Sequence, residues 1–118
     1  MLPDQYKNHA SIQDVIHNRF RGNFEFYLKM ITLFFDTLHE YLKNIEDGIA
    51  SDEHEKVKFA AHSIKGSAAN LGVSSLQAIS ERLEHRATDL SSSGTLFDLF
   101  RELKAELQEF RDYSATLK

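Results

Sequence analysis

A single proline, Pro3, precedes every periodic segment of this 118-residue chain, so no apolar periodicity is interrupted by the ring that breaks a helix interior. The expectation is an all-α protein. Four of the five glycines, Gly22, Gly48, Gly72 and Gly94, fall where one apolar period stops and another begins, as helix punctuation does. They divide the chain into a loose polar lead-in over about residues 1–10 and helices over about 11–20, 24–47, 52–71, 74–90 and 95–114. Four long amphipathic helices with short loops, preceded by a short one, predict an antiparallel up-down-up-down four-helix bundle with the amino-terminal helix laid over one end. The chain, 1–118, has room for one domain and no internal repeat.

Local signals support these boundaries. Ser11-Ile12-Gln13-Asp14 has the form of a capping box and opens the first helix, which would bury Ile12, Val15, Ile16 and Phe20. Asn23 can cap the second, whose stripe is Phe24, Leu28, Ile31, Phe35, Leu38, Leu42 and Ile45, widened by Tyr27, Phe34 and Tyr41. Ser51 is the expected cap of the third, with Asp52 and Glu53 suited to the positive end of its dipole. Gly72 ends that helix in a left-handed conformation, and Ser74-Ser75-Leu76-Gln77 opens the fourth after a tight turn. Leu76, Ile79, Leu83, Ala87 and Leu90 form its inner face, and Glu81, Arg82, Glu84, His85 and Arg86 a solvated exterior. Thr95 caps a last helix that buries Leu96, Leu99, Phe100, Leu103, Leu107 and Phe110.

Composition excludes several functions. A net charge of −4 and a pI near 5.8 provide no basic stripe for nucleic acid. The absence of cysteine removes disulfides, thiolate nucleophiles and Cys-based zinc sites. The longest apolar run, Met30 to Phe35, is far below the roughly 20 residues of a membrane span, and the amino end lacks signal-peptide order. A cytoplasmic protein is expected, making no membrane contact.

Six histidines raise the question of a metal. Metal sites in bundles need several ligands facing inward from different helices, and no Glu-x-x-His repeat is present. His9, His17, His39, His54 and His85 are scattered over polar faces and read as surface residues. His62 differs. On a helical projection Val57, Ala60, Ala61, Ile64, Ala68 and Leu71 share one stripe, and His62 falls roughly 140° from it, facing water. Gly66, one turn later on the same face, costs about 1 kcal/mol against alanine in a helix interior. Lys65 can bring an ammonium to the same spot. The plainer account is an exposed histidine beside a helix-weakening glycine by accident. The sharper one is a nucleophilic imidazole with a nearby cation and a glycine that admits something close to the helix.

The residues Ala61-His62-Ser63-Ile64-Lys65-Gly66, followed by Leu71-Gly72, Leu76 and Leu83-Glu84 and preceded by Arg21-Gly22-Asn23, resemble the histidine-containing phosphotransfer (HPt) domains of two-component phosphorelays. Ile64 stands where that family usually has leucine, an exchange that keeps volume. The resemblance implies that His62 is the phosphoacceptor, Lys65 the stabiliser of phosphoryl charge and Gly66 the clearance residue. It implies a phosphocarrier rather than an enzyme, exchanging phosphoryl groups with response-regulator receiver domains, among them one attached to a hybrid sensor histidine kinase. This chain would bind no cofactor, with Mg2+ held by the receiver, and would act as a monomer. The expected docking face is the outward side of the third and fourth helices, with Phe59 and Ala69 as apolar contacts and Lys58, Ser63 and Lys65 as polar ones. Phe59 could instead tuck under a neighbouring helix. Two other readings stay open: a helical adaptor without chemistry, and a bundle metalloprotein.

Overall fold

The computed structural model describes residues 2–117; Met1 and Lys118, included in the expected single domain, lie outside the described residues. A 3-10 turn, Pro3–Gln5, leads into α1 (His9–Asn18), α2 (Phe24–Ala50), α3 (His54–Leu71), α4 (Ser74–Thr88) and α5 (Ser93–Ala115). No strand occurs among the described residues. Consecutive helices α2 to α5 pack on one another and α5 closes back onto α2, the expected four-helix bundle. The 27 residues of α2, about 40 Å at 1.5 Å per residue, account for the 42 Å long axis of the molecule.

The core follows the helical stripes closely in α3 and α5. Val57, Ala60, Ala61, Ile64, Ala68 and Leu71 are all buried, as are Leu96, Leu99, Phe100, Leu103, Leu107 and Phe110. In α2 the emphasis shifts: Tyr27 and Phe34 are buried, Leu28, Phe35 and Leu42 are half-buried, and Phe24 is exposed. Tyr27 is drawn in because its hydroxyl donates to the Leu71 carbonyl at 2.6 Å, satisfying one of the orphan acceptors at the end of α3.

That end of α3 is where α1 lies. Gly72 takes φ 79°, and a Cβ there would stand 2.8 Å from both the Ser11 carbonyl oxygen and Val15 Cγ2, so glycine is required by conformation and by space. Ser11 Oγ donates to the Gly72 carbonyl at 2.6 Å, and Arg19 donates to the carbonyls of Ala69 and Asn70, each at 3.1 Å. A cation at the negative end of the helix dipole adds to the fit.

Several expected boundaries shift, each for a visible reason. The lead-in is not loose: Tyr6 and Asn8 are buried, Tyr6 stacks on Tyr113 with centroids 4.6 Å apart, and α1 starts at His9. Ser11 therefore lies inside α1, where its hydroxyl closes α3 instead of opening its own helix. Gly48 does not end α2 but lies buried within it, where a Cβ would come to 2.8 Å of Val57 Cγ2 on α3. Ser51 is the carboxy-terminal cap of α2, Asp52 makes the turn at φ 58°, and Glu53 takes the amino-terminal cap position of α3 without a side-chain bond. Val73, not Ser74, occupies the cap position of α4, and the Asn8 side chain supplies the missing acceptor to Ser75. Leu90 lies beyond α4 at φ 56° and is exposed. Ser92, not Thr95, caps α5 by accepting the Thr95 amide at 3.2 Å, which puts Gly94 inside the first turn.

Candidate functional site

On α3, opposite the buried stripe, the His62 side chain is 62% exposed. From α4 the carboxylate of Glu84 bridges two residues of α3: Oε2 is 2.8 Å from His62 Nδ1 and Oε1 is 2.6 Å from Lys65 Nζ. Glu84 is thus no solvated exterior residue; its side chain is 13% exposed, because its position one turn after buried Ser80 brings it to the edge of α4 that faces α3. Burial pushes the Glu84 carboxyl up, but hydrogen bonds from Lys65 and His62 and their charges outweigh it, so it titrates below its ordinary value.

An ionised carboxylate only accepts, so Nδ1 is the ring nitrogen that carries the proton in neutral His62, and Nε2 carries the lone pair. The ring is held at one nitrogen and available at the other. Lys65 reaches this site as its spacing suggests, but through the carboxylate, with its ammonium on the far oxygen of Glu84.

Gly66 lies exposed within α3, and a Cβ built on it would meet nothing among the described residues within 4 Å. No contact among the described residues explains a glycine there, in contrast to Gly48 and Gly72. Phe59 is 67% exposed, so it does not tuck under a neighbour. Lys58, Ser63 and Ala69 are half-buried, and the Ser63 hydroxyl donates to the Phe59 carbonyl of its own helix at 3.0 Å. Of the remaining histidines, His17, His39 and His85 are exposed, whereas His9 Nδ1 meets the Tyr113 hydroxyl at 2.7 Å and His54 Nε2 the Ser91 carbonyl at 3.1 Å. Among the described residues no three His, Cys, Asp or Glu side chains are grouped so that they could hold a metal ion.

Residues 29–113 match the family model described as Hpt domain, a span that runs from α2 into α5 and holds the whole site. The chain belongs to the Hpt domain family. Hpt domains carry out histidine phosphotransfer in phosphorelays, acting with receiver domains as phosphocarriers and in general not as kinases. The match covers most of the bundle and leaves α1 outside it. No curated protein and no solved structure matches the chain. No helix among the described residues of this Hpt domain is long and apolar enough to cross a membrane.

Proposed function

We propose that His62 is the phosphoacceptor of this Hpt domain, taking a phosphoryl group from the aspartyl phosphate of one receiver domain and returning it to the aspartate of another. The observation that carries the reading is a ring 62% exposed whose Nδ1 is bound to Glu84, which leaves Nε2 as the nucleophile. Nε2 attacks phosphorus in line, the P–N bond forms, and the P–O bond to the receiver aspartate breaks with its electron pair returning to the carboxylate. The reverse steps pass the group on.

Phosphoryl transfer depends chiefly on positioning and on stabilising charge. Lys65 contributes positive charge beside the phosphoryl group, and Gly66 leaves room for the receiver to approach. The receiver holds the Mg2+; this chain binds no cofactor and has no kinase activity of its own. The docking face runs from Phe59 across His62 and Gly66 to Ala69, with Lys58 and Ser63 beside it. The protein works in the cytoplasm as a monomer, without nucleic acid, and its receivers include one attached to a hybrid sensor histidine kinase.

The test is to offer the protein a phosphorylated receiver and assay for acid-labile, alkali-stable label. Label on the wild type that is absent from His62→Gln supports the reading. If no receiver transfers any label, the carrier reading fails and a helical adaptor takes its place. Lys65→Ala should slow transfer more than it weakens receiver binding; equal loss of both would make Lys65 a docking residue only.

A further inference from the structure

His62 and Ala69 lie seven positions apart on α3, about 10 Å along the axis and on the same side of the helix. Beyond Ala69 the surface is shared with two other helices. A cleft of about 480 Å³ opens there, with Ala69 and Gly72 from the end of α3, Asp14, Asn18 and Arg19 from α1, and Gln77 from α4 among its walls. We propose that α1 forms the receiver-selecting wall of the docking face, with Asp14 a specificity-determining residue that favours receivers carrying a lysine or arginine opposite it and turns away those carrying an acidic residue there. The inference rests on His62 being the phosphoacceptor and on receivers docking across Gly66 to Ala69.

The cleft continues that face without a break. Along the line from His62, Gly66 has no side chain and Ala69 has a single methyl group, so a body seated on the imidazole meets nothing tall before α1. α1 is held firmly enough to act as a wall. Ser11 and Arg19 fasten it to the carbonyls of Gly72, Ala69 and Asn70, and Asn8, at its cap position, is tied to Ser75 of α4.

The charges in the cleft are unequally committed. Arg19 is bound to the Ala69 and Asn70 carbonyls, each at 3.1 Å, and the Ser75 amide in the first turn of α4 is taken by Asn8. Asp14 is exposed and makes no ion pair among the described residues. Its carboxylate is the charge left for a partner to meet. Asn18 and Gln77, both exposed, add hydrogen-bonding groups from α1 and α4. A charge at the rim of an interface acts chiefly on encounter and on the rejection of wrong partners, which is what selection requires. α1 also lies outside residues 29–113, the span that matches the family model, so its outward residues are not set by the pattern that makes an Hpt domain and can encode a particular partner.

The test compares wild type, Asp14→Asn and Asp14→Lys. Each would be offered the phosphorylated receiver domains of the same organism one by one, and the second-order rate constant of label transfer to His62 measured at low and high salt. Labelling with phosphoramidate, a small phosphoryl donor that needs no receiver, checks that His62 is intact, and circular dichroism checks folding. For the receiver that serves wild type best, Asp14→Lys should slow transfer about tenfold and Asp14→Asn about threefold, with the rate at saturating receiver unchanged and both gaps narrowing at high salt. Receivers that serve wild type poorly should lose less or gain, so that the ranking changes. Exchanging the basic surface residues of the best receiver for glutamate, one at a time, should reveal one exchange that slows wild type and restores Asp14→Lys. Asp14→Asn, which keeps the size of the side chain, decides the matter if the lysine disturbs folding. Rates within twofold of wild type for the folded variants with every receiver would overturn the proposal and leave the relay reading standing. An equal loss with every receiver would overturn it too, because Asp14 would then be a contact that selects nothing. If phosphoramidate labels wild type and no receiver does, the relay reading itself fails and the proposal falls with it.

Discussion

The side-chain oxygen of Asn8 accepts the Ser75 amide at 3.0 Å across 67 positions of sequence, so α4 is capped by a residue from outside its own helix. The Asn8 amide nitrogen donates in turn to the Tyr6 hydroxyl at 2.8 Å and to Ser75 Oγ at 2.7 Å, and Ser75 Oγ donates to Glu106 of α5 at 2.8 Å. The amino-terminal segment is thereby fastened to the bundle end where α4 begins.

Asn8→Ala should therefore cost about 2 kcal/mol, since it removes a cap and leaves the buried Tyr6 hydroxyl unpaired. Ser74→Ala, at the position that looks like the cap in sequence, should stay within about 0.5 kcal/mol of wild type. Urea denaturation measures both, and equal effects would remove the remote-cap assignment.

Two glycines of α3 and its end should respond in opposite directions to the same change. Gly66→Ala adds a methyl group to open space in a helical backbone and should stabilise by about 0.5–1 kcal/mol. Gly72→Ala places a Cβ at φ 79° and 2.8 Å from Val15 Cγ2, and should destabilise by about 2 kcal/mol or more. Thermal melts give both signs. The bulkier Gly66→Gln should also fold, yet accept phosphoryl from a receiver more slowly; normal transfer in that variant would end the clearance argument.

The extent to which sequence foretold this protein depends on how local each cause is. The stripes of α3 and α5 could be read almost residue by residue, because burial there follows helical periodicity and nothing else. His62, Lys65 and Gly66 were legible for the same reason: their spacing alone puts them together on the outer face. Asn23 caps α2 as expected, accepting the Phe26 amide at 3.1 Å, but four other caps were not legible, because Ser11, Ser51, Ser74 and Thr95 have the right chemistry for a cap while the acceptors used for α4 and α5, Asn8 and Ser92, are selected by tertiary placement and chain direction. Gly48 misled for a related reason, since a glycine demanded by a close helix approach looks in sequence like one demanded by a turn. Glu84 escaped because its neighbours Arg82, His85 and Arg86 are exposed, and only the packing of α4 on α3 separates it from them. Its one sequence signal was its place in the Leu83-Glu84 pair.

Ser80 offers a clean test of an unmet polar group. It is fully buried in α4 and its hydroxyl has no hydrogen-bond partner among the described residues. Ser80→Ala removes that group, barely changes volume and favours helix, so it should stabilise by about 1 kcal/mol. Destabilisation of that size in a calorimetric melt would mean that the hydroxyl has a partner after all.

Phe59 should separate docking from folding. With 67% of its surface exposed it contributes little to the core, so Phe59→Ala should leave stability within about 0.5 kcal/mol. Its receiver affinity should fall by roughly tenfold if the ring is a contact of the docking face. Titration calorimetry against an unphosphorylated receiver measures this, and unchanged affinity would move the face away from Phe59.

The Glu84 bridge also predicts how stability depends on acid. Its carboxyl titrates below the ordinary 4.5 in the folded protein, because hydrogen bonds and charge from Lys65 and His62 outweigh the upward push of burial. A carboxyl with a depressed folded pKa stabilises fully above its unfolded pKa, and that contribution is lost as pH falls through the folded value. Wild type should accordingly be more stable than Glu84→Gln at neutral pH, with the gap narrowing below about pH 4.5 as the unfolded chain binds a proton that the folded chain resists. Urea midpoints measured across this range would show the two curves converging in acid. Parallel curves would mean that the bridge contributes no charge-dependent stability, and that Glu84 holds α3 and α4 together by contact alone.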